Sequence, residues 1–442
     1  MNHPGESRSV DRHDNAVATA LESACAAFAA KRPVSQRLAA EASRVMPGGN
    51  TRTVLFHRPF PLRMVSGEGQ VLTDADGLRY TDFLGEYSAG LFGHSHERVH
   101  RAVAEALATG LNLGAHHLDE IAFAEAVCRR FDLDLVRFTN SGTEANLMAL
   151  GAARAHTGRS RILAFHGAYH GSVLSFAGGG TPVNAPYDIV LGEYNDVAGT
   201  EALLDRCGDE LAAVVVEPLW GTGCVPGSAA FLSLLRRRAS QHGTVLIFDE
   251  VMTSRLGPKG YSAWLGIQPD LKTFGKYVGG GMSFGAFGGV GAIMERFDPT
   301  RPGALPHAGT YNNNSLTMKV GLAALTEIFT PQACDDLNAR GDRLRLHLDA
   351  LFDRLGARLA CTGQGSMIAI HPRRPAVRTP REAEQVDLRL RDILFLALVE
   401  EGFYLARRGY MALSLAITDA DCEALAGALE RAVLKHRDIF ID

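Results

Sequence analysis

Between Leu135 and Phe274 six short apolar runs alternate with stretches of helical periodicity: Leu135–Thr139, Arg161–Phe165, Ile189–Leu191, Ala213–Val216, Val245–Phe248 and Leu271–Phe274. Several are nearly continuous in Val, Ile, Leu and Phe instead of alternating apolar with polar residues. Such strands need cover on both faces, the condition of a mostly parallel sheet with helices on either side. The expected fold class is therefore α/β with a mostly parallel central sheet. In an open sheet of that kind ligands sit outside the carboxyl ends of the strands, which is where candidate chemistry is sought.

The flanks read differently. Residues 1–15 are polar, with no apolar segment of a signal peptide, and are expected to form a flexible tail. Ala16–Met46 has helical periodicity and stops at Pro47-Gly48-Gly49, Gly69–Phe83 reads as a hairpin around Asp74–Gly77, and Glu97–Leu107 as a helix. Beyond Pro331 long amphipathic helices return (Pro331–Leu355, Glu382–Glu401, Asp419–Lys435) with short strands between them. The expected organisation is a tail (1–15), an N-terminal segment (16–85), a large domain (86–330) and a C-terminal segment (331–442). The two end segments together would make a smaller α+β domain. With 46% hydrophobic residues the chain can bury a large core, and a net charge of −4 gives no electrostatic case for a nucleic-acid or membrane-surface partner. No apolar run approaches the roughly 20 residues of a spanning helix. The seven cysteines form no C-x-x-C pair, so a reducing, cytoplasmic setting is expected.

Four features follow predicted strands. Ser141-Gly142-Thr143-Glu144 follows the first and opens a helix. Its spacing suits a simple capped helix, and equally a phosphate seat built from free backbone N–H groups, hydroxyls and the positive end of the helix dipole. Asp249-Glu250 follows Val245–Phe248; a carboxylate there needs a donor or a cation, and could cap a helix, bind a metal or hold a protonated pyridine nitrogen. Glu217-Pro218 follows Ala213–Val216 by the same logic. Lys276 follows Leu271–Phe274 and precedes Gly279-Gly280-Gly281. Only six of the 45 basic residues are lysines. One set between an apolar strand and a glycine run can be desolvated toward a usable amine. An amine, a strand-end carboxylate and a phosphate seat are together what pyridoxal phosphate requires.

Two matches argue for other chemistry. His96-Glu97-Arg98-Val99-His100 is a literal H-E-x-x-H, but a zincin needs both histidines within one helix beside a third ligand. Gly281-Met282-Ser283-Phe284-Gly285 fits G-x-S-x-G, which requires a strand, a sharp turn and a helix, whereas 278–290 is too rich in glycine for a helix. No metal site is expected. Neither G-x-x-x-x-G-K-[ST] nor G-x-G-x-x-G occurs.

The run Phe-Thr-Asn-Ser-Gly-Thr-Glu-Ala-Asn (138–146), with Gly167-Ala168-Tyr169-His170-Gly171, Glu217-Pro218, Phe248-Asp249-Glu250-Val251 and Lys276-Tyr277-Val278-Gly279-Gly280-Gly281, resembles the class III pyridoxal-phosphate aminotransferases. The resemblance implies the fold type I architecture and a homodimer with shared active sites. It implies that Lys276 forms the Schiff base and shuttles a proton, that Asp249 keeps the pyridine nitrogen protonated, and that Ser141, Gly142 and Thr143 hold the phosphate with Thr310 of the facing subunit. Tyr169 would stack on the ring and Glu217 lie near it. Read without the resemblance, Tyr169 is a core aromatic and Thr310 a solvated loop residue.

Within the class the chain looks most like β-amino-acid aminotransferases of the β-phenylalanine type, then like glutamate-1-semialdehyde aminomutases and ω-amino-acid or amine transaminases. Met46–Phe56 and Arg408-Gly409-Tyr410 carry that likeness. Amino donor and 2-oxo acid acceptor (2-oxoglutarate or pyruvate) both bear carboxylates, which a bidentate guanidinium suits. Arg52 and Arg408 are the candidates, against surface ion pairs as the plain reading, with Arg407 a rival to its neighbour.

Overall fold

The computed structural model describes residues 4–441. Its central sheet has seven strands: β1 (Leu135–Thr139), β2 (Arg161–Phe165), β3 (Ile189–Gly192), β4 (Leu211–Val216), β5 (Val245–Asp249), β6 (Leu271–Gly275) and β7 (Gly285–Gly289). They lie in the order β1-β7-β6-β5-β4-β2-β3, and only β7 runs against the rest. β4, β5 and β6 are buried at every residue, as continuous apolar runs require. The helix Gly142–Thr157 lays Ala145, Ala149, Ala152 and Ala153 on one face of the sheet, against Ile162, Val215 and Ile247.

β7 is absent from the sequence reading because Gly285-Ala286-Phe287-Gly288-Gly289 looks like a loop. It is a strand whose neighbours leave no room for a Cβ at its glycine positions: a Cβ on Gly285 would lie 2.1 Å from the Ser141 carbonyl oxygen, and one on Gly288 2.5 Å from that of Leu135.

Registers Phe248↔Val216, Asp249↔Thr273, Gly275↔Gly285 and Gly285↔Thr139 align the carboxyl ends of β1, β4, β5 and β6 in one row. Ser141, Glu217, Asp249 and Lys276 therefore leave the sheet side by side.

Both chain ends share a second sheet. Met64–Glu68, Val71–Asp74 and Arg79–Asp82 form an antiparallel set, and Phe403–Tyr404 joins Arg79–Asp82 in parallel. A third sheet comprises Ala360–Gln364, Met367–His371 and Tyr410–Ala412. Three expectations are corrected. Residues 1–3 of the expected tail lie outside the described residues, but from Pro4 the chain is helical to Ala30, and Asp14 meets Arg389. The single helix 16–46 is two, because Pro33 takes the first position of a second helix, Pro33–Ala42. Between them Arg32, buried, donates to the Tyr80 hydroxyl at 3.0 Å and pairs with Glu400 at 2.5 Å. The helix expected at 382–401 also breaks in two, where Asp387 caps Leu388–Glu400. Among the described residues no helix is long and apolar enough to cross a membrane.

Candidate active site

The row of strand ends closes one side of a cavity of about 160 Å³ lined by Gly142, Thr143, Asn146, Tyr169, His170, Gly171, Glu217, Asp249, Met252 and Lys276, among others. Lys276 takes a left-handed conformation (φ 54°) directly after β6, which turns the chain sharply as it leaves the strand. Burial pushes its amine down to about 8, opposed by Asp249 and assisted by Arg52 and Arg408. About one Lys276 in ten is then neutral at pH 7, against a few in ten thousand for an ordinary lysine. A fully buried lysine, Lys272, lies on β6 itself, but its ammonium donates to the Phe131 carbonyl at 2.7 Å and is not in the cavity lining.

Asp249 is held on several sides. Oδ2 accepts from Asn146 Nδ2 at 2.8 Å and lies 2.8 Å from His170 Nδ1, while Oδ1 accepts from Val251 N at 3.0 Å. Thr273 donates to Asn146 Oδ1 at 2.8 Å and so fixes the amide that fixes the carboxylate. His170 is buried, and its Nε2 has no hydrogen-bond partner among the described residues. Asn146 and His170 were not singled out from sequence, although both stand inside motifs that were. The available signal was spacing: Asn146 is one helical turn beyond Gly142, on the same face.

Ser141 caps the helix, its hydroxyl accepting from Glu144 N at 3.2 Å, and the Glu144 carboxylate reaches back to Asn140 N at 2.9 Å. The first N–H groups, those of Gly142 and Thr143, have no partner among the described residues, as at any helix start. A Cβ on Gly142 would lie 2.9 Å from Val251, and one on Gly171 2.4 Å from Thr143 Oγ1, so both glycines are demanded by the narrowness of the cradle. Glu217 accepts from Tyr169 N and Gly221 N, both at 3.0 Å, and burial raises its carboxyl to about 7. Tyr169 is no core aromatic: it is half exposed at the cavity rim.

Arg52 and Arg408 converge on one ring. Their guanidinium carbons stand 5.7 and 5.1 Å from the centroid of Tyr87, which stacks on Tyr410 at 5.7 Å. Arg52 also pairs with Glu86. Arg407 turns away to Asp392, so the two adjacent arginines are told apart. Neither Glu86 nor Tyr87 was anticipated from sequence. Thr310 lies on an exposed loop and has no place in the lining of its own chain's cavity; that loop is tied to the phosphate-seat side through Asn312, whose Oδ1 accepts from Asn140 Nδ2 at 3.0 Å.

The decoy motifs dissolve in the geometry. His96 precedes its helix and caps it, accepting from Arg98 N at 3.2 Å, and Glu97 points to solvent. Ser283 is followed by strand β7, the reverse of a nucleophile elbow.

Residues 56–433 match the family "Aminotransferase class-III". The chain is a class III aminotransferase. It is 48% identical over 416 residues to the beta-phenylalanine transaminase of Variovorax paradoxus, covering 94% of this chain and 96% of that one. The crystal structure of the beta-phenylalanine aminotransferase from that organism superposes with a TM-score of 0.95 at 47% identity, covering 96% and 99% of the two chains. The glutamate-1-semialdehyde 2,1-aminomutase 2 of Brevibacillus brevis is 36% identical, over 91% of this chain and 99% of that one. The enzyme is a pyridoxal-phosphate-dependent transaminase of fold type I. The donor set fits that cofactor: an amine of lowered basicity, a buttressed carboxylate, unpaired N–H groups at a helix start and glycines where the cradle leaves no room for a Cβ.

Because only a neutral amine can attack an aldehyde, the sign of the Lys276 shift sets the pH dependence expected if this is the amine that captures the cofactor. Capture of pyridoxal phosphate by the apoenzyme should quicken about tenfold from pH 6 to 7 and level off above about pH 8. Stopped-flow absorbance checks it; a plateau reached only near pH 10 would mean the amine is not desolvated.

Proposed function

We propose that this class III aminotransferase moves the amino group of a β-amino acid, with an aromatic side chain of the β-phenylalanine kind, to 2-oxoglutarate or pyruvate in a ping-pong cycle. The observation that carries this reading is the pair of guanidinium groups, Arg52 and Arg408, gathered over Tyr87 and close enough to lower the basicity of Lys276. A carboxylate one carbon beyond the reacting amine would meet a guanidinium there while the amine meets the cavity. The likeness to a beta-phenylalanine transaminase supports it.

In this scheme Lys276 holds the cofactor covalently and, once released, carries the proton to and from the carbon bearing the amine. When bound, the cofactor supplies a conjugated sink for the electrons freed at that carbon. Asp249, held by Asn146 and His170, accepts the hydrogen bond of a protonated ring nitrogen. The N–H groups of Gly142 and Thr143 and the hydroxyls of Ser141 and Thr143 take the phosphate, with Thr310 supplied by the facing subunit of a homodimer. Tyr169 covers one ring face at the rim, and Glu217 fixes the Tyr169 backbone. Support for the dimer comes from exposed apolar side chains near the Thr310 loop: Leu118 is 82% exposed and Tyr311 57%. We place the enzyme in the cytoplasm, with the end segments 16–85 and 331–442 forming a small domain beside the large one (86–330), as the strand pairing of Phe403–Tyr404 with Arg79–Asp82 favours.

Titration of the cofactor absorbance with α-, β- and ω-amino acids tests the reading. β-Amino acids should convert the cofactor to its amine form, and 2-oxo acids should restore it. Turnover without any added oxo acid would instead mark an aminomutase, and conversion by amines lacking a carboxylate as readily as by β-amino acids an amine transaminase.

A further inference from the structure

The Arg52 guanidinium is already engaged by Glu86. The carboxylate reaches it from a turn in which Gly85, Glu86, Tyr87 and Ser88 all have positive φ (54°, 47°, 53° and 77°). A left-handed conformation is strained for an L-residue, so three in succession persist only when their surroundings impose them. Those surroundings are visible. Asp82 Oδ1 accepts from Leu84 N at 2.9 Å and Gly85 N at 3.1 Å, a Cβ on Gly85 would lie 2.4 Å from the Ala412 carbonyl oxygen, and Tyr87 stacks on Tyr410 and donates to the Val54 carbonyl at 3.3 Å. The turn delivers two successive side chains to one guanidinium: Tyr87, whose ring centroid lies 5.7 Å from its carbon, and Glu86, which accepts from its Nη1. Arg408, over the same ring, has no ion-pair partner among the described residues, and its Nε is buried without a hydrogen bond. The mouth of the site thus holds two guanidinium groups and one carboxylate, and that carboxylate sits on the arginine assigned to substrate.

We propose that Glu86 is a resident counter-ion that occupies Arg52 until a substrate carboxylate displaces it, and that it thereby sets how strongly the site selects carboxylate-bearing substrates. The inference rests on the assignment of Arg52 to carboxylate recognition. Exchange is feasible because both side chains are about half exposed, 43% for Arg52 and 50% for Glu86, so the pair is weak and the displaced carboxylate returns to water. A substrate without a carboxylate leaves the pair closed.

The test compares Glu86→Gln with the wild-type holoenzyme, using 3-phenylpropionate, a carboxylate with no amine, in calorimetric titration. The variant should bind it about two- to fivefold more tightly, the worth of a half-exposed ion pair. The KM ratio between 1-phenylethylamine and β-phenylalanine should widen by the same factor. Unchanged or weaker binding would overturn the proposal and make Glu86 a residue that positions Arg52. Arg52→Ala runs in parallel: if it fails to weaken 3-phenylpropionate, the assignment of Arg52 is at fault; if it weakens it while Glu86→Gln does not tighten it, only the counter-ion role falls.

Discussion

Lys276→Ala is expected to abolish both transamination and the covalent hold on the cofactor. Loss of proton transfer alone costs about 10²–10⁴ in rate, and the same side chain also supplies the attacking amine. Borohydride treatment of the wild-type holoenzyme should fix the cofactor on the peptide carrying Lys276; the variant should retain cofactor that dialysis removes. Lys272 sharpens the test. It is a buried lysine near the start of the same apolar strand, four residues earlier, and burial lowers its basicity as well. What separates them is the end of the strand: Lys272, near its start, is spent on the Phe131 carbonyl, while Lys276, just past its carboxyl end, lines the cavity with Asp249. Label recovered on Lys272, or a Lys276→Ala enzyme with ordinary kinetics, would overturn the assignment.

The same comparison shows where sequence was legible. Strands buried on both faces announce themselves because burial on both sides forces continuous Val, Ile and Leu, so β1 to β6 were found within two residues, and with them the row of Ser141, Glu217, Asp249 and Lys276. β7 was not found, because its glycines answer to crowding by Ser141 and Leu135, residues about 150 positions away that no local window contains. The single helix expected at 16–46 failed for a local reason, Pro33, read as part of a periodic run. At the site, the groups proposed to meet cofactor leave strand ends and were accessible to pattern. Groups that support them were not: His170 reaches Asp249 across 79 residues, and Glu86 reaches Arg52 from a left-handed turn that nothing in Gly-Glu-Tyr-Ser advertises. That turn is imposed by Ala412 and Tyr410, more than 300 residues downstream.

Arg52→Ala carries the second large effect. Charged hydrogen bonds to a carboxylate contribute about 1.5–3 kcal/mol, so kcat/KM for a β-amino acid should fall by about ten- to 150-fold, mostly through KM, while an amine of the same ring without a carboxylate loses little. The usual confusion, a binding residue whose removal also damages the fold, is small here. Arg52 is 43% exposed, and Glu86, which it leaves behind, is half exposed and can be hydrated in place, so no charge is stranded in a dry interior. Global stability should therefore change by less than about 1 kcal/mol in denaturant unfolding. Tyr87 stays where Tyr410 and the Val54 carbonyl hold it, which keeps Arg408 over the same ring. A residual preference for carboxylates in the variant would then belong to Arg408, and Arg52→Ala/Arg408→Ala should remove it. Equal losses on substrates with and without a carboxylate would show that Arg52 shapes the site without recognising the anion.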